Sequence, residues 1–180
     1  MRKEDITRNT RLAFRVNRYH TWPTTHGQTV GEHTTQVMRL YVEIFGLPRS
    51  EVWLHILWHD VGEIQTGDIP YPVKRNNPTL HAEMDRLEQE ARDSMGSRVY
   101  LPPLEEHERV RFKFCDLLDC AEHGQYEARL GNEYMAVIAD QRNGLAAILR
   151  QMSSEDRVRA TDYCMEKRIL LHGVQMEKVA

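Results

Sequence analysis

The chain contains 180 residues, of which 41 % are hydrophobic and 28 % are charged, and its formal net charge is -3 at pH 7. This composition is typical of a globular protein, and the near balance of charge argues against a general nucleic-acid binder, whose surface is usually basic. No stretch approaches the roughly 18 apolar residues of a membrane span, and the N-terminal charges are not followed by the apolar segment of a secretory signal.

The cysteines are Cys115, Cys120 and Cys164, and their spacing contains no CxxC pair. An odd number without such spacing argues against a disulfide framework or a thiolate zinc site. No repeat or linker-like tract interrupts the chain. We therefore expect one domain over residues 1–180, located in the cytoplasm, with neither a membrane nor a nucleic acid as its partner.

In chain order, the first strong patterns are two helices with apolar faces. Residues 30–45 repeat apolar side chains at helical spacing, and Gly46 and Pro48 end that helix. Residues 50–61 contain a second apolar stripe, preceded by the N-cap signal of Ser50. The high apolar content of this second segment predicts that it is buried.

The second half of the chain continues the helical pattern. Residues 67–78 contain three prolines and predict a loop. Residues 81–95 predict an amphipathic helix, and Pro102 and Pro103 interrupt the chain after it. Further helices are predicted over about 105–130, 134–151 and 154–172. Since no alternating pattern longer than four residues is found, the predicted fold class is all-α, with six or more helices around one core.

The most informative local motif is WHDVGE at residues 58–63. His59 and Asp60 are adjacent at the predicted end of a buried helix, and both side chains can reach an ion that lies between them. Glu63 returns to the same side of the helix. A buried His–Asp pair is costly unless it is paired or binds a metal. The motif therefore indicates a candidate metal site, although an isolated HD pair also occurs by chance in many proteins.

Two other positions strengthen the metal hypothesis. His33 lies on the apolar face of the first helix, and an aspartate points inward from the helix at 105–130. Asp116 and Asp119 are one turn apart, so periodicity cannot choose between them. Two imidazoles and two carboxylates balance a divalent cation, and such a mixed set favours Zn, Mn, Fe, Co or Ni over Ca or Mg.

These motifs extend into longer blocks that resemble a known family. The chain is similar to the HD-domain metal-dependent phosphohydrolases, and within them to bacterial 5′-deoxynucleotidases and phage dATP triphosphohydrolases. The resemblance rests on NRY (17–19), TVGEH (29–33), WHDVGEIQTGDIPYPVK (58–74) and FCDLLDCAE (114–122). It implies an HD-type helical bundle with one divalent transition metal, and it allows a second divalent ion with the substrate phosphates.

The resemblance also implies roles for individual residues. The implied metal ligands are His33, His59, Asp60 and Asp116. Glu63 matches the catalytic acid of the family, with Asp60 beside it in the reaction centre. His55 has HxxxH spacing with His59, which is a known metal spacing, but the family uses His33 instead and His55 is interpreted as a core or rim residue.

The implied substrate site contains Arg18, Asp68 and Lys74 around the nucleotide. Bacterial 5′-deoxynucleotidases tend to have Trp directly after the arginine, where its bulk excludes a ribose 2′-hydroxyl. This chain has Tyr19 there and Trp22 three residues later. Either aromatic residue could form the wall of the sugar site, so the strictness of deoxy selectivity stays open.

The implied function is metal-dependent hydrolysis of a deoxynucleoside monophosphate to a deoxynucleoside and phosphate. The alternative within the family is a phage-type dNTP triphosphohydrolase that releases triphosphate. Less favoured hypotheses are another HD-type phosphodiesterase and a non-catalytic nucleotide-binding module. The family is commonly oligomeric, so we expect a homo-oligomer, a dimer or larger, of bacterial or phage origin.

Overall fold

The computed structural model describes residues 9–69, 71–96, 99–135 and 141–169. The chain divides into two compact units. The first comprises Met1–Met38 and Arg49–Leu104, and the second comprises Arg39–Pro48 and Glu105–Ala180. Helices dominate the described residues, so the all-α prediction is confirmed. The single-domain assignment stays a prediction. No helix in the described ranges combines the length and apolar character that crossing a membrane requires.

Helices and one small antiparallel ribbon form the first unit. Its elements are α1 (Thr10–Ala13), β1 (Asn17–Arg18), β2 (Gln28–Thr29), the beginning of α2 (Val30–Phe45), α3 (Ser50–Trp58), α4 (Glu63–Thr66), α5 (Tyr71–Asn76) and α6 (Pro78–Ser94). Arg18 pairs with Gln28 across the ribbon. A core cluster of Ala13, Val61 and Met95, with Trp58 packed against it, fixes the turn between α3 and α4.

The helix predicted at 30–45 is observed with those bounds, but α3 differs from its prediction at both ends. Arg49 is the N-cap and Ser50 is already helical, so the predicted Ser50 cap is wrong. The Ser50 hydroxyl instead donates to a carboxylate oxygen of Glu51. The helix ends at Trp58, so the HD pair lies in the turn that follows rather than in the last helical turn.

The predicted loop at 67–78 is wrong in its second half, where α5 forms. Pro72 is the second residue of α5, and the first turn of a helix tolerates proline because its backbone N–H groups have no intrahelical partner. The helix predicted at 81–95 is confirmed but begins earlier, at Pro78, with the Asn77 side chain as its N-cap. Prolines here start helices rather than interrupt them.

The second unit consists of helices that pack around large apolar side chains. After the end of α2 it contains α7 (Glu106–Arg129), a 3₁₀ helix (Glu133–Met135), α8 (Arg142–Leu149) and α9 (Ser154–Glu166). Phe114 and Leu118 of α7 are fully buried, as is Leu145 of α8. The long helix predicted at 105–130 is confirmed. The helices predicted at 134–151 and 154–172 are shorter in the described residues, where they span Arg142–Leu149 and Ser154–Glu166. Residues 136–140 and 170–172 of these predictions lie outside the described residues.

Candidate metal centre and substrate site

Three donor atoms of the first unit converge at the turn after α3. Nε2 of His33 lies 3.3 Å from Nε2 of His59. Oδ2 of Asp60 lies 3.5 Å from the first of these nitrogens and 3.2 Å from the second. His33 is fully buried, whereas Asp60 is partly exposed. The predicted grouping of these residues is therefore present, with a deep side and a side open to solvent.

The backbone around the turn selects the tautomer of His59. Its Nδ1 lies 2.7 Å from the carbonyl oxygen of Ile56. A carbonyl only accepts hydrogen bonds, so Nδ1 donates its proton, and Nε2 of the neutral ring keeps its lone pair. The carbonyl of His59 in turn accepts from Nη1 of Arg92 at 3.3 Å. Such outer partners orient a histidine ligand before an ion binds.

The spacing of the three atoms fits a single first-row metal ion. Donors at about 2.0–2.1 Å around a tetrahedral zinc ion lie about 3.3–3.4 Å from one another. The observed separations, 3.2, 3.3 and 3.5 Å, bracket that value. Within the described residues, this is the group of histidine, cysteine and acidic side chains whose donor atoms lie within 4.8 Å of one another. The residues present therefore fit a divalent ion.

Asp60 is held in its charged form by its neighbours. Burial raises the pKa of Asp60, but the imidazoles of His59 and His33, with Arg18 beyond them, outweigh burial and hold the pKa well below its usual range. A carboxylate that stays ionised is a permanent donor to a cation. The side chain thus keeps its negative charge available at neutral pH.

Glu63, the first residue of α4, is a buried carboxyl group beside this cluster. Its side chain is 6 % exposed, and no donor among the described residues forms a hydrogen bond with Oε2. Burial raises the pKa of Glu63, the negative charges of Asp60 and Asp68 raise it further, and Arg18 opposes them. An unsatisfied buried carboxyl oxygen is rare and costly, which suggests that it serves a ligand.

Gly62 lets the turn approach α6 more closely than any other residue could. A Cβ atom at this position would lie 2.5 Å from the carbonyl oxygen of Glu88 and 2.7 Å from its Cβ. The glycine of the HDVGE motif is therefore a packing requirement. It places Glu63 and the metal turn directly against the helix that contains Glu88 and Arg92.

We expect Gly62→Ala to destabilise the protein by about 1–3 kcal/mol, the usual cost of forcing an extra methyl group into a packed contact. Urea denaturation measures the change. Gly27→Ala is the matched control, because nothing lies within 4 Å of a Cβ built at Gly27. Equal stability of the two variants would show that the α3–α4 turn moves freely relative to α6.

The predicted substrate residues near the N-terminus are brought together by the ribbon. Nη1 of Arg18 donates to Oε1 of Gln28 at 3.0 Å, and the guanidinium lies 5.1 Å from the centroid of the Tyr19 ring. Tyr19 has a left-handed backbone with φ of 57°, and its N–H donates to Oδ2 of Asp68 at 2.7 Å. Trp22 is partly exposed. Asp68 therefore fixes the strained backbone that presents Tyr19.

Lys74 of α5 is bound to a buried carboxylate that the sequence did not single out. Its Nζ lies 3.3 Å from Oε1 of Glu88, and the hydroxyl of Thr66 lies 3.5 Å from the same oxygen. Burial lowers the pKa of Lys74, but Glu88 and Glu63 outweigh it and raise the pKa overall. Lys74 is thus kept charged, with only one of its three donors assigned to Glu88.

The other candidate metal ligands considered from the sequence are Asp116, Asp119 and His55. Asp116 is half-buried and Asp119 is buried, and both belong to α7 of the second unit. The choice between them as fourth ligand stays a prediction. His55 lies with Nδ1 3.3 Å from the carbonyl oxygen of Pro102 and outside the group of three donors, as the sequence interpretation expected.

Sequence reasoning missed three supporting residues: Gln28, Glu88 and Arg92. Glu88 gives the clearest signal, since it lies four residues after Met84 and three before Ala91, in the inward register of an otherwise charged helix. Gln28 gives none, because a two-residue strand shows no alternation.

A sequence profile described as 5′-deoxynucleotidase YfbR-like matches residues 11–152. The chain belongs to the YfbR-like family of 5′-deoxynucleotidases. All the candidate site residues named above fall within the matched range.

Two curated relatives share about a quarter of their aligned residues with this chain. A 5′-deoxynucleotidase of Erwinia tasmaniensis and the 5′-deoxynucleotidase yfbR of Photorhabdus temperata are each 24 % identical to this chain over 133 residues. The match covers 69 % of this chain and 64 % of each relative, so the chain spans less than two thirds of their length.

A solved structure shares the fold of this YfbR-like chain. The cyanophage S-2L HD phosphohydrolase DatZ, bound to dA and one catalytic Zn²⁺ ion, aligns with a TM-score of 0.64 at 20 % identity. The alignment covers 89 % of this chain and 94 % of DatZ. The HD-type fold expected from the sequence is therefore confirmed.

Proposed function

We propose that this protein is a divalent-metal-dependent 5′-deoxynucleotidase that converts a deoxynucleoside monophosphate to a deoxynucleoside and inorganic phosphate. The observation that supports this most is the convergence of His33, His59 and Asp60 beside the unsatisfied Oε2 of Glu63. Membership of the YfbR-like family gives the reaction class.

The metal is assigned to His33, His59 and Asp60, with Asp116 as fourth ligand on the strength of the sequence motif alone. Two imidazole nitrogens and carboxylate oxygens suit Zn, Mn, Co, Fe or Ni. The ion would act as a Lewis acid on the phosphoryl group and lower the pKa of a nearby water. The Zn²⁺ of DatZ is consistent with this donor set.

Glu63 is assigned the proton-transfer role. Burial and the negative charges of Asp60 and Asp68 raise the pKa of this carboxyl group, which favours the uptake of a proton by the side chain. The unsatisfied Oε2 is free to accept a hydrogen bond from the attacking water. A glutamine in its place keeps the shape but cannot take up a proton.

The phosphate is assigned to Arg18 and Lys74, and the deoxyribose to Tyr19, Asp68 and Trp22. Arg18 and Lys74 are both largely buried, so their charges act in a medium of lower dielectric than water. Tyr19 is the better candidate for the wall of the sugar site, because Asp68 fixes its backbone whereas Trp22 is more exposed.

We expect Tyr19→Ala to reduce the preference for deoxynucleotides over ribonucleotides by about 10- to 100-fold, the range that a steric wall supplies against one extra group. The kcat/KM ratio for a matched deoxy and ribo monophosphate measures it. Trp22→Ala is the comparison variant and should change the ratio less than Tyr19→Ala, because Trp22 is the more exposed of the two aromatic residues. The reverse ranking of the two variants would assign the wall to Trp22.

A nucleotide panel with product separation tests the proposed reaction. Protein stripped with a chelator is reloaded with single metals and given ribo- and deoxynucleoside mono- and triphosphates. Free phosphate from the monophosphates is the expected result. Release of triphosphate from dATP instead would favour the phage-type reaction. No turnover by protein shown to bind metal would exclude both.

A homo-oligomeric state and a cytoplasmic location also remain proposals, which rest on the sequence resemblance. Light scattering coupled to gel filtration measures the first: a dimer or larger species is expected, and a monomer at the working concentration contradicts it. Fractionation of the source cells measures the second.

A further inference from the structure

The β1–β2 ribbon brings one neutral polar side chain against the arginine of the substrate site. Arg18 and Gln28 are register partners in an antiparallel pair, and side chains of directly opposed residues lie on the same face. Arg18 is 9 % exposed and Gln28 is 5 % exposed. Each strand of the ribbon has two residues, and Arg18–Gln28 is one of its two residue pairs.

Gln28 and the ring of Tyr19 both restrain the Arg18 guanidinium. Its Nη1 donates to Oε1 of Gln28 at 3.0 Å, which fixes one edge of the planar group. The group also lies 5.1 Å from the centroid of the Tyr19 ring. An edge contact and a ring contact together restrict rotation of a group that otherwise has many rotamers. The N–H of the next residue, Tyr19, donates to Oδ2 of Asp68 at 2.7 Å, so the ribbon end that contains Arg18 lies beside the segment that follows Glu63 and α4.

The group that accepts the hydrogen bond from Arg18 is a neutral amide oxygen and not a carboxylate. A glutamine amide oxygen fixes the guanidinium without cancelling its positive charge. A carboxylate at the same place would form an ion pair and compete with a phosphate for the same cation. A neutral acceptor therefore combines orientation with full charge.

We propose that Gln28 is a positioning residue, whose amide oxygen orients Arg18 toward the phosphate of the substrate. The proposal rests on the proposed function, in which Arg18 binds that phosphate. Gln28 itself does not touch the substrate in this assignment; it acts through Arg18.

A double-mutant cycle on the metal-loaded full chain tests the proposal, with Gln28→Met, Arg18→Ala and the double variant. Methionine keeps nearly the length of glutamine but accepts only weak hydrogen bonds. We expect Gln28→Met to lower kcat/KM for a deoxynucleoside monophosphate about tenfold, equivalent to one well-placed hydrogen bond to a charged group. In the Arg18→Ala background the same change should have almost no further effect.

Binding measurements separate positioning from a merely structural role. Calorimetry with inorganic phosphate should show about tenfold weaker binding in Gln28→Met, whereas the affinity for a deoxynucleoside, which has no phosphate, should stay within about twofold. Gln28→Glu should keep the contact and the melting temperature but also weaken phosphate binding, because it neutralises Arg18. Gln151→Leu, an exposed glutamine of the second unit, is the control.

The possible outcomes are distinct. Equal losses from Gln28→Met with and without Arg18, or equal losses of phosphate and deoxynucleoside affinity, overturn the positioning role. If Gln28→Met does not fold, Gln28→Glu decides alone, since unchanged phosphate affinity in that variant also overturns it. A wild-type protein that turns over no nucleotide contradicts the proposed function, while its phosphate affinity and that of the variants still decide the role of Gln28.

Discussion

Glu63→Gln is expected to lower kcat by about 10²–10⁴-fold, the range that a positioned general acid or base contributes. The substitution preserves the volume of the side chain and one acceptor oxygen, but it replaces the other oxygen with an NH₂ donor and removes the ability to take up a proton. Burial and the negative charges of Asp60 and Asp68 raise the pKa of Glu63, so a neutral amide in its place avoids the cost of an ionised carboxyl group at this position. We therefore expect the variant to be at least as stable as the wild type and to bind the metal.

Three measurements on the same preparation check this expectation: kcat, metal content and melting temperature. Glu83→Gln, an exposed glutamate on α6, is the control and should match the wild type in all three. A Glu63→Gln protein with wild-type kcat would remove the proton-transfer role. Loss of the metal together with activity would show that Glu63 acts on the ion instead.

His59→Ala is the second large effect. One of the three converging donors disappears, which leaves His33, Asp60 and the proposed fourth ligand Asp116 to hold the ion. We expect metal affinity to fall by more than the roughly 10–100-fold typical of losing an outer partner of a ligand, and activity to fall with it. His59 is preferable to His33 for this test, because His33 is fully buried and its removal would also leave a cavity in the core.

Chelator competition measures the affinity, and His81→Ala, a more exposed histidine, is the control. The same titration on Asp116→Asn and Asp119→Asn identifies the fourth ligand. We expect the loss in the Asp116 variant. Wild-type metal affinity in His59→Ala would mean that the three donors do not form the site.

The long helices and the position of the metal turn were predictable because their signals are local. The apolar period of residues 30–45 predicted α2 with its observed bounds and placed His33 on the buried face. The HD pair followed a strongly apolar segment, which located the turn but overstated its burial, because α3 buries only Val52 and Ile56 and the HD pair is partly exposed. These patterns depend only on helical spacing and on the cost of burying polar groups.

Features that depend on tertiary contacts were not predictable. The prolines at 67–78 indicated a loop, but two of them occupy first-turn positions, where proline is tolerated. Ser50 was expected to be the N-cap of α3, but Arg49 is the N-cap and Ser50 is the first helical residue. Gln28 has its proposed role through Arg18 on the opposite strand, and a two-residue strand gives no pattern that predicts such a pair. Glu88 lies in the inward register of α6, but that register does not identify Lys74 as its partner.

The packing role of Gly62 was also not predictable from the sequence, because it depends on a separate helix. A glycine inside HDVGE could have served a turn with positive φ, but its φ is -64°. Its necessity comes instead from the backbone of Glu88 on a separate helix. The motif therefore records a packing constraint between α6 and the metal turn, and not only the chemistry of the ligands.

Metal reconstitution tests the central claim most directly. Chelated protein is titrated with Zn, Mn, Co, Fe or Ni while bound metal and phosphate release from a deoxynucleoside monophosphate are measured together. We expect activity to rise in proportion to bound metal, to level off at about one equivalent per chain, and to be absent in His59→Ala. A wild-type protein that binds the ion at this site and hydrolyses no nucleotide, or that hydrolyses equally well without metal, would contradict it.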